Sequence, residues 1–110
     1  MITVANRIPV KPEFAEKFEE AFQKRLGLVD EMPGFVAYKL LRPGKEEDPY
    51  VVLTFWESEE KFRAWTQSEN LREQHKKDRM LSDEAFSGKV KLEIHQVVQE
   101  SGAPFETART

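Results

Sequence analysis

The chain has no cysteine, which excludes disulfides, thiolate nucleophiles and zinc clusters of the Cys type at once. Histidine is nearly as scarce: there are only two, His75 and His95, and no paired spacing of the kind that chelates a metal. The five glycines form no phosphate-cradling loop, and no serine sits in a nucleophile elbow. An excess of positive charge is missing too, since seventeen Lys and Arg face twenty Asp and Glu for a net charge of −3. Nucleic acid is therefore not an expected partner. No apolar run is long enough to span a bilayer, and the opening Met1-Ile2-Thr3-Val4-Ala5-Asn6-Arg7 lacks the basic end and apolar core of a secretion signal. A cytoplasmic protein that does not enter a membrane is the expectation.

What remains is the composition of one globular domain. The 110 residues are 39% hydrophobic and 34% charged, with eight Phe concentrated in periodic segments. Residues 1–100 read as that domain, and the stretch 101–110, with Gly102 and Pro104 and no periodicity, reads as a tail without fixed structure. In the first strand, Ile2, Val4, Ile8 and Val10 alternate onto one face. Pro12 then opens an amphipathic helix carrying Phe14, Phe18, Phe22 and Val29, predicted to run to about Glu31. The Met32-Pro33-Gly34 break leads into a strand over 35–42, and the Pro43 to Pro49 turn joins it to a strand over 50–56. Ser58, with Glu59 and Glu60, supplies a helix cap and negative charge at the positive end of the dipole. A second start at Ser68-Glu69 predicts a broken helix to about Met80, followed by a loop from Ser82 to Gly88. The last strand spans 89–98, with Val90, Leu92 and Ile94 inward.

Strand, helix, strand, strand, helix, strand is the split βαβ order of an α+β, ferredoxin-like domain. Its middle strands are apolar on both faces, while the helices can cover only one. A chain this short has no further element for the other face, so a homodimer with the two sheets facing each other, a dimeric α/β barrel, is predicted.

Three residues interrupt this pattern. Asn6 falls where a Leu or Val belongs, and a carboxamide buried there without a partner costs roughly 1–3 kcal/mol. Its ordinary role is to tie a strand end or a neighbouring loop. Trp65 lies three residues after Phe62 on one helix face, a spacing that usually makes core. His75 lies four after Leu71 and shares its side; imidazole can bind heme iron, although a lone helical histidine is more often just hydrogen-bonded. Strand and broken helix are expected to pack face to face, so all three can line one cleft. Arg72, Lys76, Lys77 and Arg79 form either a solvated helix face or, beside an apolar pocket, partners for the carboxylates of a ligand. His95 falls on the opposite side of its strand, toward solvent or the dimer edge.

The chain resembles the antibiotic-biosynthesis monooxygenase superfamily, and within it the Isd-type heme-degrading monooxygenases. The likeness runs from Val4 to about Val98, through Ala5-Asn6-Arg7, Met32-Pro33-Gly34-Phe35, Thr54-Phe55-Trp56-Glu57-Ser58, Phe62-Arg63-Ala64-Trp65 and His75-Lys76. The Pro-Gly-Phe and Trp-Glu-Ser segments mark the superfamily, and Asn, Trp and His together point to heme. The resemblance implies that His75 is the proximal ligand of heme iron. It also implies that Asn6 hydrogen-bonds the distal oxygen species and that Trp65 forces the porphyrin out of plane. Phe62 and Arg79 are assigned to the same heme-binding set. Heme is then substrate and cofactor together, opened at a meso carbon with O2 and electrons from a reductase or small reductant, freeing iron and a linear tetrapyrrole. Two other readings share the fold: a cofactor-free oxygenase of a flat polyketide-like aromatic, and a non-catalytic heme-binding dimer.

Overall fold

The computed structural model describes residues 1–24, 27–69, 71 and 83–102. Four strands, β1 (Ile2–Ile8), β2 (Phe35–Leu41), β3 (Tyr50–Trp56) and β4 (Lys91–Gln96), form one antiparallel sheet in the order β2-β3-β1-β4. Helices α1 (Ala15–Gln23) and α2 (Glu59–Thr66) both pack on one face. This is the ferredoxin-like α+β arrangement the element order predicts.

Cross-strand pairs share a face, so the register assigns every side chain. Ile2, Val4, Asn6 and Ile8 pair with Trp56, Thr54, Val52 and Tyr50 on the helix-covered face. Asn6 and Val4 also pair with Leu92 and Ile94 of β4. A bulge between Phe35 and Ala37 shifts the phase of β2. Phe35 thereby joins Tyr38 and Leu40 on the helix side, which explains why this strand reads as apolar on both faces.

Two apolar clusters hold the helices to the sheet. At one end, Phe62 and Trp65 of α2 pack with Ile2, Val4, Val29 and Trp56, and the Trp56 indole, fully buried, meets Phe35 and Phe62 edge-on. At the other end, Phe18 of α1 packs with Val10 and Tyr50. The Pro33-Gly34 turn fixes the entry to the first cluster. Gly34 has φ +85°, and a Cβ there would come within 2.4 Å of the Lys61 side chain. Its carbonyl accepts from the Glu57 amide at 2.8 Å, tying the Met-Pro-Gly turn to the start of α2. Ser58 caps that helix as expected, its Oγ accepting from the Lys61 amide at 3.3 Å.

The structure corrects the expected elements in three places. The first helix ends at Gln23, and Leu28–Glu31 is a separate 3-10 turn. Between them Gly27, the cap of the 3-10 turn, adopts φ +71°, a left-handed conformation suited to glycine, and the apolar periodicity running through it hid the break. Residues 83–88 are more than a loop: Asp83–Ala85 form a 3-10 turn, Phe86 bridges to Val10, and Ala85 is fully buried. Finally, Val90, Leu92 and Ile94 are not inward. They are 55%, 51% and 38% exposed, because β4 is an edge strand and neither core cluster reaches it.

The helix break does occur where expected. α2 ends at Thr66, the Ser68 Oγ donates to the Trp65 carbonyl at 2.7 Å, and it accepts from the Leu71 amide at 3.2 Å. The continuation to Met80 lies outside the described residues, as does the tail beyond Gly102.

Candidate functional site

Asn6 occupies the seam between the two apolar clusters. Val4, two residues before it on the same face, belongs to the α2 cluster, whereas Ile8 and Val10 belong to the α1 cluster. Its cross-strand neighbours are Val52 and Leu92. The carboxamide is partly exposed rather than buried, a correction to the sequence expectation. It keeps some water, so the desolvation cost inferred from alternation alone is reduced, and its polar atoms are available to a ligand.

Trp65 is 8% exposed and Phe62 9%, both within the cluster that ends at Val4. Their rings form the packed end of the seam on which Asn6 opens. Leu71, partly buried, packs against the same cluster. His75 and Arg79 lie outside the described residues, as do Arg72, Lys76 and Lys77. His95 is exposed on the opposite face of β4, beside Thr3.

Among the described residues around Asn6, most side chains are apolar, and Thr54 and Tyr38 add hydroxyls on the same face. Thr54 is already committed, its Oγ1 accepting from the Trp56 indole N–H at 3.0 Å. Phe22 of α1 stacks on Tyr38 of β2, with centroids 6.5 Å apart and planes within 15°, and gives the α1 side an aromatic wall. Leu92 and Ile94 leave the β4 side open and greasy. A flat, largely apolar macrocycle fits such a lining, with the carboxamide as the polar contact at its face.

A depression of about 780 Å³ lies apart from the seam, between α1 and the β2–β3 turn. Glu16, Glu19, Lys24, Arg42 and Lys45 line it, and neither Asn6 nor Trp65 does. Val10, Pro12, Ala15, Pro43 and Tyr50 complete a wall that mixes charged and apolar groups. At its inner edge is a network that sequence reasoning missed. Arg42 donates two hydrogen bonds to the Glu19 carboxylate, at 2.8 and 2.6 Å, and the buried Tyr50 hydroxyl donates to it as well. The Arg42 guanidinium, then the Tyr50 hydroxyl, hold the Glu19 carboxyl down to about 2. Burial, then the Glu19 carboxylate, push Tyr50 up to about 12. The available signal was a tyrosine opening an apolar strand and a glutamate that directly follows Phe18.

A pH dependence follows from these shifts. Between pH 12 and 10 the folded chain keeps a proton on Tyr50 that the unfolded chain loses. The tyrosine contribution is thus complete below pH 10 and disappears as pH rises through about 12. The Glu19 contribution is present above 4.5 and lost as pH falls toward about 2. Thermal melts should show Tm falling in both windows, and Tyr50→Phe should flatten the alkaline limb selectively. An unchanged alkaline limb in that variant would show that Tyr50 is not its source.

Residues 1–77 match the family described as antibiotic biosynthesis monooxygenase. Seven-tenths of the chain is covered by that match, and the chain belongs to this family. Curated relatives narrow the position. A heme oxygenase (mycobilin-producing) of Mycobacterium tuberculosis is 43% identical over 60 residues, covering 54% of this chain and 57% of that protein. A heme oxygenase (staphylobilin-producing) of Staphylococcus haemolyticus is 40% identical over 88 residues, covering 77% of this chain and 83% of the relative. The match thus spans little more than half the mycobacterial relative's length but most of the staphylococcal one's. Among solved structures, MhuD, the heme-degrader of M. tuberculosis with two hemes bound in its active site, superposes with a TM-score of 0.75. It is 30% identical, with 93% of this chain and all of that chain covered. SnoaB, a cofactor-independent oxygenase of Streptomyces nogalater, superposes at 0.68 with 25% identity, covering 90% and 94%. Within the family, the chain is more similar in sequence to these heme oxygenases and to MhuD than to SnoaB.

Proposed function

We propose that this protein is a heme-degrading monooxygenase that opens the porphyrin at a meso carbon with O2 and external electrons, releasing iron and a linear tetrapyrrole. The observation that carries the reading is the seam around Asn6: an apolar, aromatic-walled, half-open surface with one available carboxamide. The 40% identity to a staphylococcal heme oxygenase along most of its length supports it. The heme-free alternative rests on the more distant likeness to SnoaB.

In this reading the seam binds heme by its faces, and burying the apolar macrocycle supplies most of the affinity. His75 ligates the iron, supplied by the segment that follows Leu71. Asn6 offers hydrogen bonds on the side where O2 reacts. Trp65, backed by Trp56 and Phe62 in a packed core, is stiff enough to bend a ring pressed against it. Arg79 pairs with the propionates. Electrons come from a reductase or small reductant. Adding hemin to the purified protein should produce a Soret band that saturates at about one equivalent per chain, and ascorbate should then bleach it with release of iron. A protein that does not perturb the hemin spectrum is not this enzyme.

The working unit is a homodimer in the cytoplasm. Ala5, Ala37, Val51, Leu53, Phe55 and Leu41 lie on the sheet face away from both helices, and Leu41 is 40% exposed. A second copy related by a two-fold axis covers that patch. Along its β4 margin, Glu93 is paired with Arg7 at 2.9 Å and with Lys91 at 3.4 Å, a polar rim to an apolar centre. Leu53 sits centrally, between Ala5 and Lys39. Leu53→Glu should halve the mass measured by sedimentation while the fold, by circular dichroism, persists. A wild-type protein that sediments as a monomer would remove the dimer from the proposal.

A further inference from the structure

The two relatives above carry the names of different tetrapyrrole products. Product choice therefore depends on more than the features they share. In this chain the geometry around Asn6 is lopsided. Strands in a sheet lie about 4.8 Å apart, so a macrocycle laid over Asn6 must also overlie its neighbours on both sides. On the β3 side the neighbour is Val52, and beyond it Leu40 of β2 packs against the α1 cluster. That side is walled. On the other side the neighbour is Leu92, 51% exposed, on a strand with no further strand beyond it among the described residues. Ile94, 38% exposed, continues the same row toward Val4.

We propose that Leu92 is a specificity-determining residue: the apolar stop against which the tetrapyrrole edge rests, fixing how far the ring slides toward β4 and hence which meso carbon lies over Asn6. The inference rests on the heme-degrading reading and deepens it. Two half-exposed aliphatic side chains line the β4 margin of the face that packs against the helices, Leu92 directly beside Asn6 and Ile94 beside Val4. They are continuous with the seam and face away from the sheet surface assigned to the second copy. Their occupant is a planar apolar ligand edge. Substitution at Leu92 changes where the ring sits without touching the groups that act on it.

The test compares Leu92→Ala and Leu92→Phe with the wild type, and uses Lys89→Ala, exposed just ahead of the same strand, as control. Hemin affinity is read from Soret titration, and products of ascorbate-driven turnover are separated by chromatography and mass spectrometry. Leu92→Ala should weaken hemin binding about fivefold, the loss expected for one partly buried leucine. It should also broaden the isomer distribution. Leu92→Phe should bind at least as well as the wild type and shift the distribution to a different ratio. Lys89→Ala should match the wild type in both respects. Wild-type-like affinity and product ratio in both Leu92 variants would overturn the inference while leaving the enzyme assignment intact. A change in sedimenting mass in Leu92→Ala would overturn it differently, by assigning the row to a protein contact. A wild type that binds no hemin would instead remove the parent reading.

Discussion

Replacing His75 with Ala should abolish the Soret band of the hemin complex, and added imidazole should restore it. The expectation comes from an economy of ligands. The chain has no cysteine and only two histidines. The other, His95, is exposed on the sheet face opposite the seam, beside Thr3. An iron held in the seam therefore has one imidazole to draw on. The spacing predicts that His75 shares a helix side with Leu71, which packs partly buried against Ile2, Val4 and Trp65. Loss of an axial ligand leaves only apolar burial, and the spectrum should revert to that of loosely associated hemin. His95→Ala should leave the band unchanged. Equal Soret spectra for wild type and His75→Ala would assign the iron to another ligand, and imidazole rescue separates a lost ligand from a damaged fold.

Much of the architecture was legible in the residues because period-two and period-three-to-four spacing responds to the same burial that builds the sheet and helices. The four strands, the Ser58 cap, the Met32-Pro33-Gly34 turn that leads into β2 and the break before Ser68 all come from local chemistry acting where it stands. Misreadings arose where a residue's local signal was outvoted. α1 stops at Gln23 although the apolar stripe continues past it, and Gly27, left-handed, opens a separate 3-10 turn, because backbone conformation rather than hydrophobicity decides there. Val90, Leu92 and Ile94 alternate like a buried strand but lie at the edge, and strand order is a property of the whole sheet. The bulge at Phe35 and Ala37 cannot be read from a single strand either. For the site, sequence found the odd residue, Asn6, by its misfit among alternating aliphatics. It could not supply the neighbours Val52 and Leu92, which come from register, nor the partial exposure that makes the amide usable.

Asn6→Ala should separate binding from reaction. The carboxamide is partly exposed, flanked by Val52 and Leu92, and lies at the seam between the clusters rather than inside either. Truncating it removes no core volume, so Tm should stay within a few degrees of the wild type. Hemin affinity should change little, because apolar burial and His75 dominate it. Turnover should fall by about 10² to 10³, the cost of removing one preorganised hydrogen-bond donor from the place where charge develops on reacting oxygen. Soret bleaching after addition of reductant under air measures this directly, and iron release should fall in step. Asn6→Gln keeps the amide but moves it by one methylene, and should recover only part of the rate if position matters as much as polarity. A loss of hemin affinity as large as the loss of rate would make Asn6 a binding residue. An unchanged rate would take the amide out of the chemistry, and the seam would then act on heme through His75 and Trp65 alone.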